Sequence, residues 1–536
     1  MASQQTGPIP AASLAATDGR RMAAATAIVM TFFVLSRAMG LLREIIISDQ
    51  FGTSADLDAY LAAFRVPDLL FQLVAGGALG SAFIPVFSGY WVRGDEGGAW
   101  LLFSRVLNLV TLALVALAAL AALFALPLVR WVIAPGFTPA QQALTANLMR
   151  WMLIGTVVFG ASGLIMAALN ALQHFLLPAA APLLYNLGII AGALVLAPWM
   201  GVYGLATGAV IGAAGHLLVQ LPGLVRQRAR YRFSARLQDR GVRQVMGLMG
   251  PRILGLLFVQ LHFLVNTNLA SGLESGSVAA LNYAWLLMLL PLGVFAQAIG
   301  TVVFPTFSAQ VAAGQEPAMR ATFGQVLRTV FFLTLPAAVG LWVLGLPVVQ
   351  VLLEHGAFGA ESTALVVAAL RAYALGLVAH AAVEIGVRAF YALHNTWTPV
   401  LVGVGAMALN ILLSVLWVGR LGLSGLALAN SAATTLEMVC LLWLVGRRLG
   451  GLALAELAAT LARSVLAAAL MAGALRLWVA WSYSRPWSHD LNAWVAAVGG
   501  IALAVAVYLA ASLLLGSPEL APFWRILQRK AGAASR

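Results

Sequence analysis

Phe83-Ile84-Pro85-Val86-Phe87-Ser88 returns 220 positions later as Val303-Phe304-Pro305-Thr306-Phe307-Ser308. The same offset carries Leu126-Pro127 onto Leu346-Pro347 and Gly136 onto Gly356. An offset of 221 carries Ala171 and Pro178 onto Ala392 and Pro399. One such match would be noise, but an offset of 220 or 221 over four separate segments marks an internal repeat. In a strongly apolar chain, a repeat of this length points to a transporter built from two similar lobes around a central site.

The 536 residues are 62% hydrophobic and only 9% charged, with a mean hydropathy of +0.94. So few charges cannot cover the surface of a soluble domain. Apolar runs of roughly 20 residues, enough to cross ~30 Å of hydrocarbon, recur from end to end. They are continuous rather than alternating, which excludes a β-barrel. The fold class is therefore an all-α polytopic membrane protein. About fourteen spans are expected, near 23–47, 63–92, 101–131, 144–172, 178–198, 202–225, 245–273, 278–312, 321–351, 363–393, 398–418, 422–446, 455–481 and 491–516.

A net charge of +13 would suit a nucleic-acid binder, but its placement argues otherwise. Arginines sit in short loops on one side of the predicted spans, which is the positive-inside signature, so no nucleic-acid partner is expected. The densest run is Arg226, Arg228, Arg230, Arg232, Arg236, Arg240 and Arg243. An even span count puts both termini on that same, cytoplasmic side. The expected organisation is a tail over 1–22, a six-helix lobe over 23–225 and a basic linker over 226–244. A second six-helix lobe follows over 245–446, then two extra helices over 447–516 and a tail over 517–536. Because each lobe holds an even number of spans, the repeats run parallel, related by a pseudo-twofold axis along the membrane normal. The 226–244 segment either sets topology as a linker or also grips anionic headgroups of membrane lipids.

The chain has one cysteine, Cys440, inside an apolar span, so neither a disulfide nor a cysteine metal site is expected. No phosphate-binding GxxxxGK[ST] run and no HExxH stands in the sequence. No enzyme activity, cofactor or metal is expected, and no loop could hold a nucleotide-binding region. Energy for transport would come from the membrane potential, a monovalent cation or downhill flow of substrate.

Charges inside spans are costly and usually face a cavity or a partner. The first span carries Arg37, Arg43 and Glu44. Two arginines so close could hold a phosphate or pyrophosphate by bidentate hydrogen bonds, or one could pair with Glu44. Arg65 begins the second span after Asp56 and Asp58. It either completes a cationic cavity or pairs with Asp58 or Asp68. Gly76, Gly77 and Gly80 would let that helix bend or neighbours approach closely. Glu384 and Arg388, four apart, read as an intrahelical pair. Asn266, Asn268, Asn410, Ser414, Asn430 and Thr434 form a polar set in the seventh, eleventh and twelfth spans. Their oxygens could hold a cation weakly, or bond between helices.

The run Ser36-Arg37-Ala38-Met39-Gly40-Leu41-Leu42-Arg43-Glu44 resembles the first-helix motif of the MurJ/MviN lipid II flippases. Phe51-Gly52 through Asp58-Ala59, Ala78 through Pro85, Asn282-Tyr283-Ala284 and Pro291-Leu292-Gly293-Val294 are similar to that family too. So are His355-Gly356-Ala357-Phe358 and Phe390-Tyr391-Ala392 with Thr398-Pro399-Val400. The matches run in family order from the first expected span to the twelfth.

The resemblance implies the fold of the multidrug/oligosaccharidyl-lipid/polysaccharide exporter superfamily, with two six-helix lobes. It implies an undecaprenyl-pyrophosphate-linked peptidoglycan precursor as substrate, flipped from inner to outer leaflet of the bacterial plasma membrane by alternating access. Cell-wall synthesis proteins would be neighbours. By the same likeness Arg37, Arg43 and Arg65 would bind pyrophosphate, with Glu44, Asp58 and the glycines shaping or gating the cavity. Two departures stand out. Basic residues common in the family are replaced by Phe71 and Leu286, and an acidic one near Gly76. The cation-site carboxylates of some relatives are replaced at Asn266 and Ser414. These departures keep open a flippase for another polyprenyl-linked glycan, or a drug or cation antiporter of the same fold. A non-transporting scaffold is disfavoured by the lack of long loops.

Overall fold

The computed structural model describes residues 11–74 and 77–520, with side chains placed over 30–74, 79–250 and 260–520. Among them there is no strand. A hydrocarbon medium has no water to satisfy backbone N–H and C=O groups, so an unclosed chain crosses it only as helix. Among the described residues eleven helices are long and apolar enough to cross a bilayer, against fourteen crossings expected. One of them, Trp397–Arg448, is two helices meeting at Gly422, whose φ of 55° and ψ of −135° are not helical. The helices Ala11–Phe51 and Arg240–Ala270 cover the first and seventh expected spans and are not among the eleven.

The sequence repeat is also a repeat of backbone. Gly94 (φ 77°) and Gly314 (φ 68°) reverse the chain after the paired FIPVFS and VFPTFS helices. In each case the following amide bonds back, Asp95 N to Tyr90 O at 3.1 Å and Gln315 N to Gln310 O at 2.8 Å. The next helices begin at Glu96 and Glu316. Gln173 (φ 61°) and His394 (φ 56°) end the helices Pro139–Ala171 and Ala360–Ala392 in the same left-handed turn. Gly201 and Gly422, at φ 57° and 55°, also correspond.

The chain forms two compact units. The first comprises the described residues through Ile47, Ala59–Val132 and Thr138–Gln260. Its core is an aromatic ladder on adjoining helices, with Phe87 and Trp100 edge-on at 5.6 Å and Trp100 and Phe103 likewise at 5.6 Å. The basic 226–244 segment lies in this unit and is tied to the helix Glu96–Leu123. Arg232 N donates to Ser104 Oγ at 3.1 Å, Asn108 Nδ2 to Ser234 O at 2.9 Å, and Arg105 pairs with Asp239. The second unit comprises Ser48–Asp58, Ile133–Phe137 and the described residues from Leu261 onward. Its C-terminal helices Leu454–Tyr483 and His489–Leu514 pack through Met471, Leu475 and Tyr508 against Phe332 and Leu344. The Tyr508 hydroxyl donates to Phe332 O at 2.7 Å.

Glycine sets the tightest packing in the first unit. Gly188 and Gly192 face Gly204, Gly208 and Gly212 on the antiparallel partner Val202–Leu218. A Cβ on any of them would run into backbone atoms across the interface. Lipid tails are as apolar as leucine, so close backbone packing rather than hydrophobic exclusion holds such helices together. A Gly208→Leu substitution is expected to cost at least about 1–3 kcal/mol through overpacking. The check is a lower melting temperature of the purified protein, with Gly247→Leu, where nothing lies within 4 Å, as control.

Candidate functional site

The first helix carries the charged residues singled out above, and the structure separates their roles. Arg43 is folded onto its neighbour, with Nη2 2.5 Å and Nε 3.1 Å from Glu44 Oε1. Its remaining Nη1 donates to Asn186 Oδ1 at 3.1 Å. Asn186 lies on the helix Leu176–Ala191, where the glycine interface presses Gly212 against Tyr185. That packing fixes where the Asn186 carboxamide stands. The guanidinium side chain is 24% exposed and the Glu44 side chain 11%, so the pair is sheltered yet reachable. Arg37 is exposed, six residues and thus roughly 9 Å along the axis, with its guanidinium 5.5 Å from the centre of the Phe33 ring. It does not share Glu44 with Arg43.

Arg65 opens the helix Arg65–Val74 and is half-buried. Pro67 has no N–H for Ala63 O, and a turn at Phe64 interrupts the helix there. Asp68 accepts from Gln72 at 3.1 Å and from Gln260 at 2.8 Å. Phe71 packs edge-on against Phe159 at 4.7 Å, and Phe159 lies 4.8 Å from the Tyr185 ring. Where a basic residue was expected by resemblance, this chain builds an aromatic stack that ends beside Asn186. Gly76 lies outside the described residues. Gly77 starts the helix Gly77–Val92, and a Cβ on Gly80 would meet only Ala167 at 3.9 Å.

Asp58 belongs to the second unit and is 2% exposed. Its carboxylate accepts from Gly276 N and Ala279 N, each at 2.7 Å. The first N–H groups of a helix have no partner within it, and the helix dipole favours an anion there. Asp58 thus caps Ser277–Leu292 from 218 residues away. Gly276 sits at φ 93°, and a Cβ on it would strike Thr53 O. Gly136 and Gly356, the glycines of the repeat, are close-approach positions as well. A Cβ would meet the Ser271–Gly272 backbone at the one and Asp49 O at the other.

The polar set of the second unit does come together, around a residue that pattern reading passed over. His262 Nδ1 lies 2.5 Å from Asn410 Nδ2, and its Nε2 lies 3.2 Å from Asn266 Nδ2 and 3.4 Å from Asn430 Nδ2. Asn430 Oδ1 is 3.0 Å from His380 Nε2, with the Thr434 hydroxyl at 3.4 Å. Ser414 Oγ donates to Asn410 Oδ1 at 3.2 Å. The signal for these histidines was their spacing, one helical turn before Asn266 and before Glu384. Glu384 pairs with Arg388 at 2.6 Å, as the four-residue spacing predicts. Among the described residues no group of three or more His, Cys, Asp or Glu is arranged to hold a metal ion.

The family profile described as "Lipid II flippase MurJ" matches residues 47–498. The chain belongs to that family. A Burkholderia cenocepacia protein named lipid II flippase MurJ is 31% identical over 90% of this chain and 96% of its own length. Among solved structures, a lipid II flippase MurJ in an inward closed conformation superposes with a TM-score of 0.75. It covers 93% of this chain and 99% of its own, at 24% identity. A multidrug resistance transporter of the MATE family and MOP superfamily, inward-facing, gives 0.67 over 77% and 94% at 16% identity, a likeness of fold. The bonds from Gly276 N and Ala279 N give Asp58 a structural post at the start of Ser277–Leu292. Asp58→Ala is expected to cost about 1–3 kcal/mol, the range for losing charged, buried cap bonds. A drop in melting temperature of the purified protein, absent for the exposed Asp56→Ala, checks it.

Proposed function

We propose that this chain is a lipid II flippase, moving the undecaprenyl-pyrophosphate-linked precursor from the inner to the outer leaflet of the bacterial plasma membrane. The observation that carries the reading is the family match over 47–498. It works by alternating access, with both termini cytoplasmic, and draws on the membrane potential or a monovalent cation. Cell-wall synthesis proteins would supply and consume its cargo.

Arg43 is the residue we assign to the pyrophosphate. Its three nitrogens are already spent on acceptors, two of them on one carboxylate oxygen. A phosphate oxygen offers the same geometry as that carboxylate with more charge, so substrate would take Arg43 from Glu44 rather than fill an empty site. Glu44 keeps the half-buried cation satisfied between turnovers. Arg37, exposed further along the same helix, would meet the headgroup first, and Arg65 would contribute from the second helix. Replacement of family basic residues by Phe71 and Leu286 favours one second reading, a flippase for another polyprenyl-linked glycan.

In cells depleted of their own lipid II flippase, the intact chain should restore growth and a well-expressed Arg43→Ala should lyse. Binding of the pyrophosphate lipid should fall roughly 10- to 100-fold, the equivalent of losing ~1.5–3 kcal/mol of charge-assisted hydrogen bonding. A well-inserted intact chain that fails to rescue overturns lipid II as substrate. Glu44→Gln should do the opposite at the binding step, raising affinity by up to about tenfold because a neutral amide competes less well for the guanidinium. Were the chain a cation-coupled drug antiporter, Glu44→Gln would abolish transport and Arg43→Ala would spare it.

A further inference from the structure

We propose that Arg371 and Arg476, set about Trp342 in the second unit, form a binding site for the phosphate of a membrane lipid. The internal repeat brings out the first of them. Arg371 Nε donates to Trp342 O at 3.2 Å, and in the first unit Arg150 Nε donates to Ala122 O at 3.0 Å. Arg150 and Arg371 correspond at an offset of 221, Ala122 and Trp342 at 220. Each carbonyl stands five residues before a repeated proline, Pro127 or Pro347. Proline withholds an amide and its ring presses on the preceding turn, which opens the ladder there and lets a neighbouring carbonyl take a donor from the next helix. The bond holds the guanidinium by its inner nitrogen and leaves both Nη groups to find other acceptors. In the first unit Arg150 Nη1 donates to Asn147 Oδ1 at 2.8 Å. The second unit has Ala368 at that place, and among the described residues Arg371 makes no other hydrogen bond. It has instead an indole where the first unit has Ala122, and a second arginine, Arg476, from Leu454–Tyr483, a helix that follows the repeat.

The guanidinium carbons of Arg371 and Arg476 lie 5.9 and 5.3 Å from the centre of the Trp342 ring. The two charges are thus no further apart than those distances laid end to end, within reach of one phosphate. All three residues are exposed. Among the described residues neither arginine pairs with a carboxylate, and no Asp or Glu stands three or four positions from either. Two unpaired like charges inside expected spans call for an anion from outside the chain. Depth says which anion. Trp342 precedes the helix end at Leu353, Arg371 follows the helix start at Ala360 and Arg476 precedes the end at Tyr483, each by roughly 10–16 Å along its axis. Those ends lie together, since Tyr483 bonds to Gln350 and His489 to Glu354. The three helices have 38, 33 and 30 residues, so they run roughly 45–57 Å against ~30 Å of hydrocarbon. A layer that far in from their ends is where acyl chains meet headgroups, the level that tryptophan and the tips of long arginine side chains favour. The anion of that level is a lipid phosphate, whose oxygens match the forked N–H groups of guanidinium, while the indole packs on the first methylenes of the tail.

The site stands whether or not the chain moves lipid II, because it needs only a phosphate on a lipid. Two sources carry that chemistry, a glycerophospholipid and a polyprenyl phosphate. The full-length protein, stripped of lipid in a neutral detergent, is titrated with phosphatidylglycerol, with undecaprenyl phosphate and with diacylglycerol, which has no phosphate. Bound lipid is counted by native mass spectrometry. The wild type should retain one phosphate-bearing lipid and no diacylglycerol. Because Arg371 also holds a helix carbonyl, Arg476 carries the test. Arg476→Ala should weaken retention roughly 10- to 100-fold, and Arg476→Lys nearly as much, since lysine keeps the charge but not the fork. Arg130→Ala should change nothing. It removes an arginine 5.8 Å over Trp131, a ring that no second arginine approaches among the described residues. Tighter retention of phosphatidylglycerol identifies a phospholipid site, and tighter retention of undecaprenyl phosphate a polyprenyl one; either upholds the pair. Wild-type retention in Arg476→Lys, an equal loss in Arg130→Ala, or diacylglycerol held as well as the phosphate lipids overturns it and leaves two arginines that merely snorkel. Failure of the intact chain to rescue flippase-depleted cells would overturn lipid II as cargo and leave the retention result untouched.

Discussion

Hydrocarbon offers no hydrogen bonds, and every polar group this chain carries into it must bring its own partner. That constraint makes the fold all-helical and decides where its helices stop. Pro67 gives up an amide and the helix is interrupted beside it. Gly422 turns the chain between two helices that a continuous ladder would have fused. The same constraint accounts for the charges. Asp58 is buried because two orphan helix amides need an acceptor. Arg43 can be half-buried because Glu44 and Asn186 satisfy it. A carboxylate that holds a structural cap and a carboxylate that shields a cation look alike in sequence, but only the second can be exchanged for a ligand without opening a helix end.

Helix association in such a medium cannot rest on burying apolar side chains, since lipid buries them equally well. The first unit answers with bare backbone. Gly188 and Gly192 meet Gly204, Gly208 and Gly212, and this contact sets the position of Tyr185 and Asn186, hence of Arg43. Packing and site are thus one construction, and a side chain added at the interface would be felt at the guanidinium. The second unit uses polar side chains for the same purpose. Its Asn, Ser and Thr residues hold four helices around His262 and His380.

Much of this was legible in the sequence because membrane proteins write their constraints in long runs. The repeat at an offset of 220 predicted two equivalent halves, and the left-handed turns at Gly94 and Gly314, or Gln173 and His394, recur at matching places. Glu384 and Arg388 paired as their spacing required. What sequence could not give was the choice among near neighbours. Both Arg37 and Arg43 were within reach of Glu44; the rotamer of Arg43 and the arrival of Asn186 from another helix settled it. Spacing cannot report a partner 143 positions away. Spacing placed His262 one turn before Asn266, but it could not report Asn410 and Asn430, which reach the ring from other helices.

The substitution at Phe71 follows the same logic of thrift with charge. A further cation in the second helix would need a partner of its own, and Asp68, the nearby carboxylate, is already bonded to Gln72 and Gln260. Phe71 instead extends a stack through Phe159 to Tyr185, the residue preceding the Arg43 acceptor Asn186. Rings in edge-on contact contribute about 0.5–1.5 kcal/mol beyond the area they bury, and they need no counterion. The stack packs the helix that carries Asn186 without adding a positive charge. Were Arg43 to take the headgroup as proposed, binding would rely more on one well-oriented guanidinium and less on a diffuse positive field. Bidentate geometry then selects the ligand, and a phosphate with two oxygens in plane satisfies it where a single-point anion does not.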